Sequence, residues 1–371
     1  MSIRNISITL LLFAASYLGG MRELYAQEVK VGKEWKNTRP IYRRDTLTIR
    51  FFGDIMMHSA QIENSSKGFA EYFIHLEDKI KEADIAVANM EFTLAGKPYS
   101  GYPAFSAPDE YATHLAKCGF DIFLCANNHI FDKGSKGADR TLRIYKELKK
   151  EYGIEYTGLV ADSEELNNNF PLTVIRKGIR LSFINMTYGT NLGQTEQWPK
   201  TIYQGERKLI EKAIRKAEAE SDLTLALPHW GIEYELTHST NQFQTANWLI
   251  DKGVDAIIGC HPHVVQDTEV INGTPVAYSL GNMVSNMSAV NTQLGLMVTM
   301  RVVREENGDI RLLPLELTHL WCSRPGGLTN SYTVIPVEDF IGKRDLWSGP
   351  WDYDKMITTY ERVRKTHNNE H

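Results

Sequence analysis

The chain has 371 residues, of which 42% are hydrophobic and 23% are charged, as is typical of a globular protein with one large or two smaller domains. Its formal net charge is −5 at pH 7, so there is no excess of basic residues to bind nucleic acid. No nucleic-acid partner is expected. Composition favours a catalytic or ligand-binding domain.

The first 26 residues have the pattern of a secretory signal peptide. A basic Arg4 precedes an apolar run over residues 6–18, and Ala26 ends a plausible cleavage site. The alternative is an uncleaved leader that anchors the protein in a membrane, but the apolar run is short for a membrane span. We therefore expect an exported protein, located in the periplasm, at the cell surface or in the medium, with a polar linker over residues 27–45.

This expectation can be tested on the mature protein. Protein recovered from an exported fraction should begin near Gln27, because a leader of this kind is removed during export. N-terminal sequencing decides between the two alternatives, since an intact Met1 in a membrane fraction would identify an anchor.

Four cysteines follow the leader, and they are Cys118, Cys125, Cys260 and Cys322. Their spacing matches no zinc ribbon, and a domain of this size does not need disulfides to be stable. We interpret them as small buried side chains and expect no essential disulfide.

Hydrophobic periodicity predicts alternating strands and helices in the first half of the chain. Strands are expected at residues 46–52, 84–88, 121–125 and 155–159, and helices at 69–81, 111–117 and 136–152. Polar side chains follow three of these strands: Asp54 after the first, Asn89 and Glu91 after the second, and Asn128 and His129 after the third. Since the carboxyl ends of parallel strands meet at one edge of a sheet, we expect these side chains to lie close together.

The second half of the chain continues this pattern. The predicted elements are a hairpin at 172–186, a loop at 187–202 that can border a pocket, helices at 204–220, 242–252 and 353–364, and strands at 223–227, 254–259, 276–280, 294–303, 310–317 and 332–337. The strands at 294–303 and 310–317 are expected to form one hairpin. His229 follows the strand at 223–227, and His261 and His263 follow the strand at 254–259.

The sequence His261-Pro262-His263 places two histidines on either side of a proline. Pro262 restricts the residue before it to extended conformations, so the turn between the two rings is expected to be stiff. With this spacing both rings can reach ions a few ångströms apart. Oxygen and imidazole ligands without a thiolate suit Mn²⁺, Zn²⁺ or Fe, so we expect one or two divalent ions of undetermined identity.

At these positions the sequence resembles the CapA family of poly-γ-glutamate capsule biosynthesis proteins, a branch of the calcineurin-like metallophosphoesterases. The resemblance covers about residues 46–320. The matching motifs, in the order of the family, are Gly53-Asp54-x-Met56, Asn89-x-Glu91, Asn127-Asn128-His129-x-x-Asp132-x-Gly134, His229-Trp230-Gly231-x-Glu233-Tyr234, Gly259-x-His261-Pro262-His263-x-x-Gln266 and Tyr278-Ser279-Leu280-Gly281-Asn282. Several motifs in a fixed order are far more specific than any one of them.

The resemblance implies an α/β fold, namely a four-layer α-β-β-α sandwich of the metallo-dependent phosphatase type. Residues 321–371 would be a C-terminal extension packed on the same domain. The family pattern makes Glu91 a carboxylate that bridges two ions. It assigns Asp54 and His263 to the first ion and Asn128, His229 and His261 to the second.

The resemblance also implies a role for residues beside the ions. His129 would protonate the leaving group, and Asp132 would orient His129. Asn89, Glu233 and Asn282 would contact the substrate or support the metal ligands. Gly53 and Gly259 would let the backbone pass close to the metals.

Two positions depart from the wider metallophosphoesterases. Those proteins place a histidine where this chain has Met56, and they usually have an aspartate where it has Glu91. A methionine is a poor ligand for a hard or borderline ion, so the first site would be weak, vacant or completed by water. His58 is a possible substitute, although we expect it to be an exposed loop histidine.

The preferred function is that of an exported metal-dependent hydrolase that uses a metal-bound hydroxide on a phosphoester, with a γ-glutamyl amide as the second choice of substrate. The alternative is a non-catalytic accessory protein of surface-polymer assembly that keeps the metal site for structure or ligand binding. The expected partners are a surface polymer or a small phosphoester or γ-glutamyl substrate, together with membrane-bound enzymes of polymer synthesis.

Overall fold

The structure is a computed structural model that describes residues 45–192 and 197–368. The predicted signal peptide and all but the last residue of the predicted linker lie outside the described residues, and Asp45 already belongs to the first strand. Two β-sheets pack face to face and helices cover their outer faces, which confirms the four-layer α-β-β-α sandwich.

Strands make up both inner layers of this sandwich, and two short ones pair with each other in a separate two-stranded sheet. In chain order, the strands of the described residues are β1 (Asp45–Ile55), β2 (Ile85–Met90), β3 (Ile122–Leu124), β4 (Glu155–Thr157), β5 (Leu159–Val160), β6 (Leu172–Arg176), β7 (Ile179–Thr187), β8 (Lys200–Thr201), β9 (Leu223–His229), β10 (Ala256–Ile258), β11 (Thr268–Ile271), β12 (Thr274–Ala277), β13 (Asn282–Val284), β14 (Leu294–Arg304), β15 (Ile310–Leu312), β16 (Glu316–Ser323) and β17 (Thr333–Pro336).

The helices alternate with the strands in the first two thirds of the chain. They are α1 (Ser59–Asn64), α2 (Glu77–Lys81), α3 (Asp109–Cys118), α4 (Gly134–Tyr152), α5 (Ser163–Asn169), α6 (Arg207–Glu220), α7 (Thr240–Asp251), α8 (Val337–Phe340) and α9 (Pro350–Asn368), with 3-10 turns at Ser65–Lys67 and Arg344–Leu346. None of the helices in the described ranges has the length and apolar character needed to cross a membrane.

Each sheet contains a block of parallel strands, with antiparallel strands at one margin of the first sheet and at both margins of the second. The first sheet runs β17-β16-β14-β1-β2-β3-β4, with β13 beside β1 and β15 beside β14. Its parallel part is β1 to β4, and β14 runs antiparallel to β1. The second sheet runs β11-β12-β10-β9-β7-β6, with β7, β9, β10 and β12 parallel. This places the carboxyl ends of β1, β2 and β3 beside those of β9 and β10.

Alternation of side chains along the strands builds three hydrophobic layers. Ile49 and Phe51 of β1 point inward and pack against Phe183 and Leu225 of the second sheet. The neighbouring Phe52 points outward to the layer beneath α3 and α4. A third layer lies between the second sheet and the helices α6 and α7. The C-terminal helix α9 contributes buried side chains to the layer between the sheets.

The helix predicted over residues 69–81 is wrong over most of its length, because only Glu77–Lys81 is helical. Phe69 and Tyr72 have helical spacing, but they bury their rings in the core from successive turns. The carbonyl of Tyr72 accepts the amide of Val334 in β17 at 2.8 Å, which removes it from a helical hydrogen-bonding pattern. Tertiary pairing therefore overrides the local periodicity.

Two predicted strands have different bounds in the structure. The strand predicted at 310–317 is divided into β15 and β16, because Pro314 lies between them and has no amide to donate. The strand predicted at 276–280 ends at Ala277 and forms a hairpin with β11 through Asn272 and Gly273, both at positive φ. An Asn-Gly pair between β-branched residues is a strong hairpin signal that the sequence interpretation passed over.

All four cysteines are buried and carry free thiols. Cys118 lies near the end of α3, where its Sγ is 3.3 Å from His114 Nε2. Burial raises the pKa of Cys125 and Cys260, which keeps both thiols protonated.

Gly53 allows β1 to approach a neighbouring backbone closely. A Cβ at this position would lie 2.0 Å from the carbonyl oxygen of Gly281, far inside van der Waals contact. The next residue, Asp54, donates its amide to that same oxygen at 2.9 Å. The glycine therefore sets the position of Asp54 through a contact with backbone, whereas the sequence interpretation expected a close approach to metal ions.

We expect Gly53→Ala to lower the free energy of unfolding by about 1–3 kcal/mol, because neither backbone segment can move aside without breaking strand pairing. The matched control is Gly205→Ala, since Gly205 is exposed and an added Cβ there meets open space. Thermal unfolding of the two variants provides the measurement. Equal melting temperatures for the two proteins would contradict the close approach at Gly53.

Candidate metal centre

Polar side chains from five strand ends converge where the two sheets meet. Those that the structure brings together and buries are Asp54, Asn89, Glu91, Asn128, His129, His229, His261 and His263. We define the candidate metal centre as Asp54, Glu91, Asn128, His229, His261 and His263. Asp54 and Glu91 come from the first sheet, and the three histidines come from loops or strand ends of the second.

Glu91 lies at the middle of this cluster. It is fully buried, and both of its carboxylate oxygens lack a hydrogen-bond partner. Its Oε1 lies 3.7 Å from His229 Nε2, 3.8 Å from His263 Nε2 and 3.9 Å from His129 Nε2. Burial, followed by the charge of Asp54, raises the pKa of Glu91 well above its usual range. A buried carboxylate without a partner is costly, so this position requires a cation or a proton.

The histidines around Glu91 are suited to bind a metal ion. Burial lowers the pKa of His229 and His261 well below the ordinary histidine value, and the charge of neighbouring histidines lowers it further. A neutral imidazole has the lone pair that a metal requires. His261 Nδ1 is buried without a hydrogen-bond partner.

Three groups of the centre are close enough to share one ion. Ligand atoms of Glu91, His261 and His263 all lie within 4.8 Å of one another. The orphaned oxygens of Glu91 and the orphaned Nδ1 of His261 fit an ion at this position, because each has no other partner. This buried Glu–His–His cluster is compatible with a divalent metal site. Carboxylate and imidazole donors suit Mn²⁺, Zn²⁺ or Fe without selecting among them.

The backbone of the His-Pro-His segment corrects one expectation. His261 has φ +104° and His263 has φ +60°, so the residue before Pro262 is not extended. Positive φ is uncommon for a residue with a side chain and persists only where the surroundings enforce it. The amide of His261 donates to Asp54 Oδ2 at 3.2 Å, and the carbonyl of Pro262 accepts the amide of Tyr234 at 2.9 Å. These bonds hold both rings toward Glu91.

Buried amides orient the carboxylate and histidine side chains. Asn89 Nδ2 donates to Asp54 Oδ1 at 2.7 Å, while Asn89 Oδ1 has no partner. Asn282 Oδ1 lies 3.0 Å from His263 Nδ1 and fixes the ring of that histidine. Asn128 Oδ1 lies 2.8 Å from His229 Nε2, so these two candidate metal ligands lie side by side. Such partners commonly determine how well a metal is held.

His129 and Asp132 form a pair at the side of the centre. His129 Nδ1 lies 2.7 Å from Asp132 Oδ2, and that oxygen also accepts the amide of Phe105 at 2.8 Å. The ring of Phe105 packs edge-on against His129, with centroids 4.7 Å apart. Nδ1 is thereby engaged with Asp132, and Nε2 is the nitrogen directed toward Glu91. The carboxylate of Asp132 thus fixes the orientation of the His129 ring.

Three residues near the centre were missed from the sequence, and one of them is Phe105 beside His129. Tyr188 directly follows β7 and its ring centroid lies 4.6 Å from that of His261, so it obeys the same strand-end rule. Asn191 Nδ2 lies 3.2 Å from His129 Nδ1, and the amide of Asn191 donates to the carbonyl of Asn128 at 2.9 Å. Asn191 does not directly follow a strand, so the strand-end rule does not find it. Its polar amide side chain is the only sequence signal for a role at the centre.

His58, Trp230 and Glu233 lie outside the buried cluster. His58 is not an exposed loop histidine: it precedes α1, packs on Phe105 and is engaged by Gln61 through Nδ1 at 3.1 Å. Burial lowers the pKa of His58 to about 4. Trp230 is a core residue whose indole donates to the carbonyl of Tyr278 at 2.9 Å. Glu233 is exposed at the mouth of the centre.

The sandwich with carboxylate, amide and histidine side chains at its strand ends defines a protein of the metallophosphatase-like fold class. A solved structure of this class is that of a Staphylococcus aureus protein assigned as a 5′-nucleotidase, in complex with α-ketoglutarate. The two chains superpose with a TM-score of 0.51 at 13% identity, over 74% of this chain and 54% of the other. At this identity the likeness concerns the fold alone.

The sequence places the chain within one family of that class. The model of the family described as "Bacterial capsule synthesis protein PGA_cap" matches residues 48–287, and the chain belongs to this family. It is 28% identical to the capsule biosynthesis protein CapA of Bacillus anthracis, over 75% of this chain and 70% of the relative. It is 26% identical to the PGA biosynthesis protein CapA of Bacillus subtilis, over 74% and 73% of the two chains.

We expect Asn282→Ala to weaken metal binding by about 10–100-fold, because the change removes the partner that fixes His263. His261→Ala removes a candidate donor outright and should weaken binding further. The matched control is His75→Ala, since His75 is exposed and contacts only Phe340 among aromatic rings of the described residues. Titration with Mn²⁺ or Zn²⁺ and metal analysis of each purified variant provide the measurement.

Metal removal offers an independent readout of the same site. An ion bound by the native state alone stabilises it, so a chelator should lower the melting temperature of the wild type and leave that of His261→Ala unchanged. If His261→Ala and His75→Ala bind metal with equal affinity, this cluster is not the metal site.

Proposed function

We propose that the protein is an exported, metal-dependent phosphoester hydrolase that acts in the synthesis of a surface polymer. The observation that carries this proposal is the fully buried Glu91, whose two oxygens lack partners, next to the oriented His129–Asp132 pair. The capsule-synthesis family supports the biological setting. Export rests on the leader sequence.

The residues that would hold the ion are Glu91, His261 and His263, with Asn128 and His229 beside them, and Asp54 would belong to a second position. A bound divalent ion supplies Lewis acidity and activates water at neutral pH. The protein contributes the burial that excludes bulk water and the neutral histidines that leave their lone pairs available. Asn89 and Asn282 keep Asp54 and His263 in position.

His129 would supply the proton for the leaving group. A water oxygen bonds to phosphorus and releases one proton to solvent, the bond from phosphorus to the leaving oxygen breaks, and the leaving oxygen takes a proton from His129 Nε2, which solvent then restores. Asp132 stabilises the protonated imidazole and holds Nδ1, so that Nε2 is presented to the substrate. An acid in this position typically contributes about 10²–10⁴-fold to the rate.

Met56 favours a second candidate, a non-catalytic accessory role in polymer assembly. Met56 is buried where related phosphoesterases place a histidine, and its thioether is a poor ligand for a hard ion. Both oxygens of the nearby Asp54 already accept hydrogen bonds, from Asn89 and from the amide of His261. A centre with one ion could bind a precursor of the surface polymer or a membrane-bound synthesis partner without turning over a substrate.

The hydrolase and the accessory role predict different behaviour of His129→Ala. For the hydrolase we expect this variant to keep its fold and metal content while turnover of phosphomonoesters or phosphodiesters falls by at least about 100-fold. The assay is a panel of generic phosphoesters with added Mn²⁺, alongside metal analysis. The matched control is His319→Ala, which removes a histidine paired with Glu338 at 3.1 Å outside the site.

Two results would overturn these assignments. If His129→Ala loses metal as readily as His261→Ala, then His129 is a ligand and not the proton donor. If the wild type carries metal but hydrolyses no phosphoester, the result favours the accessory role, and γ-glutamyl amides are the next substrates to test.

A further inference from the structure

Exposed tyrosines surround the mouth of the candidate metal centre. Tyr102, Tyr188 and Tyr234 are 73%, 48% and 43% exposed, and we call these three residues the tyrosine rim. They come from three separate loops, after β2, after β7 and after β9. Single exposed aromatic residues are common on protein surfaces, but a group of them around the mouth of a site marks a ligand-binding surface.

Two members of the rim lie directly against the histidines of the centre. The ring centroid of Tyr188 is 4.6 Å from that of His261, and the ring centroid of Tyr234 is 6.3 Å from that of His263. Tyr102 is a neighbour of Tyr234, since its ionised form would raise the pKa of that residue. The loop of Tyr102 also carries Phe105, which packs on His129. The rim therefore borders both the candidate ligands and the proposed acid.

The backbone holds Tyr234 in an uncommon conformation. Tyr234 has φ +69°, in the region that side chains rarely adopt. Its amide donates to the carbonyl of Pro262 at 2.9 Å. Gln266 Nε2 donates to the carbonyls of Glu235 and Thr237 at 3.0 and 2.9 Å, which fixes the loop just beyond it. Strain that surrounding bonds maintain in this way is found mostly at functional positions.

Acidic side chains lie beneath and beside the rim. Asp54, Asp132 and Glu233 all act on Glu91 as acidic neighbours. Among the described residues, the ion pairs of Asp54 and Asp132 are with histidines, and none joins them to lysine or arginine. These acidic groups disfavour a polyanion such as polyglutamate, because they would repel its repeated carboxylates. A single phosphate can be matched by the ion itself.

We propose that the tyrosine rim binds an uncharged ring, a sugar or a nucleobase, attached to the phosphate that the metal centre receives. This inference rests on the proposed hydrolase function and narrows its substrate class. A planar nucleobase stacks on the face of a tyrosine ring, and a sugar ring packs its C–H face against it; neither contact needs a charge. Tyr234 and Tyr188 would form the platform, and Tyr102 its outer edge.

The test compares phosphomonoesters that do and do not carry a ring. Adenosine 5′-monophosphate and glucose 6-phosphate represent the two kinds of ring, and glycerol 3-phosphate is the ring-free reference. We expect Tyr234→Ala to reduce the ratio of kcat/KM for the ring ester over glycerol 3-phosphate by about tenfold, the effect of losing one stacking contact. Tyr234→Phe keeps the ring and should preserve the ratio. Trp351→Ala, which removes an aromatic residue that is 54% exposed on α9, should also preserve it.

Equilibrium binding separates this inference from the hydrolase proposal. Calorimetric titration of metal-loaded wild type and Tyr234→Ala with the same three compounds requires no turnover. If a ring ester binds about tenfold more weakly to Tyr234→Ala but none is hydrolysed, the rim stands and the hydrolase proposal fails. If esters are hydrolysed but the ratio is the same in both proteins, the rim proposal fails alone. Preferential, rim-dependent binding of a γ-glutamyl oligomer would also overturn it.

Discussion

The structure is organised around a carboxylate that the fold buries without a partner. Glu91 is shielded from water, and neither of its oxygens receives a hydrogen bond. Removing an unpaired ion from water costs several kcal/mol, a large share of the about 5–15 kcal/mol that stabilises a typical domain. Protonation relieves this cost only by removing the charge, which the raised pKa of Glu91 favours in the absence of a cation. A bound cation relieves it with the charge retained, so folding and metal binding are coupled through this residue.

The sandwich maintains this arrangement through polar bonds between its two sheets. The amide of His261 from the second sheet donates to Asp54 of the first at 3.2 Å. Asn185 of β7 accepts the amides of Cys125 and Ala126, at 3.1 and 2.8 Å, and donates to the carbonyl of Leu227 at 2.8 Å. These bonds position the segments that carry Asn128 and His229. The hydrophobic layer alone would leave the two sheets free to slide, whereas these directional bonds fix the register of the strand ends.

Residues directly beyond buried strands were accessible to sequence reasoning. Asp54, Glu91, His229 and His261 follow apolar runs, and parallel strand ends must meet at one edge. Asn191 and Phe105 could not be found in this way, because they reach the centre from loops whose path depends on tertiary contacts. The positive φ of His261 was also inaccessible, since proline favours the opposite and only the bond to Asp54 explains it. The shortened α2 has the same origin, a long-range hydrogen bond to Val334.

The candidate metal ligands are distributed unevenly around Glu91, and their distribution determines how many ions the centre needs. On one side Asp54 is engaged by Asn89 and by the amide of His261, and the neighbouring Met56 offers only a thioether. On the other side His229, His261 and Asn128 are grouped near Glu91, with His129 beside them. An ion on that second side would satisfy the orphaned Glu91 oxygens and the orphaned Nδ1 of His261 at once. Burial of Glu91 thus demands one cation, whereas a second would have to displace hydrogen bonds that Asp54 already makes, which costs about 1–3 kcal/mol for each buried donor left without an acceptor.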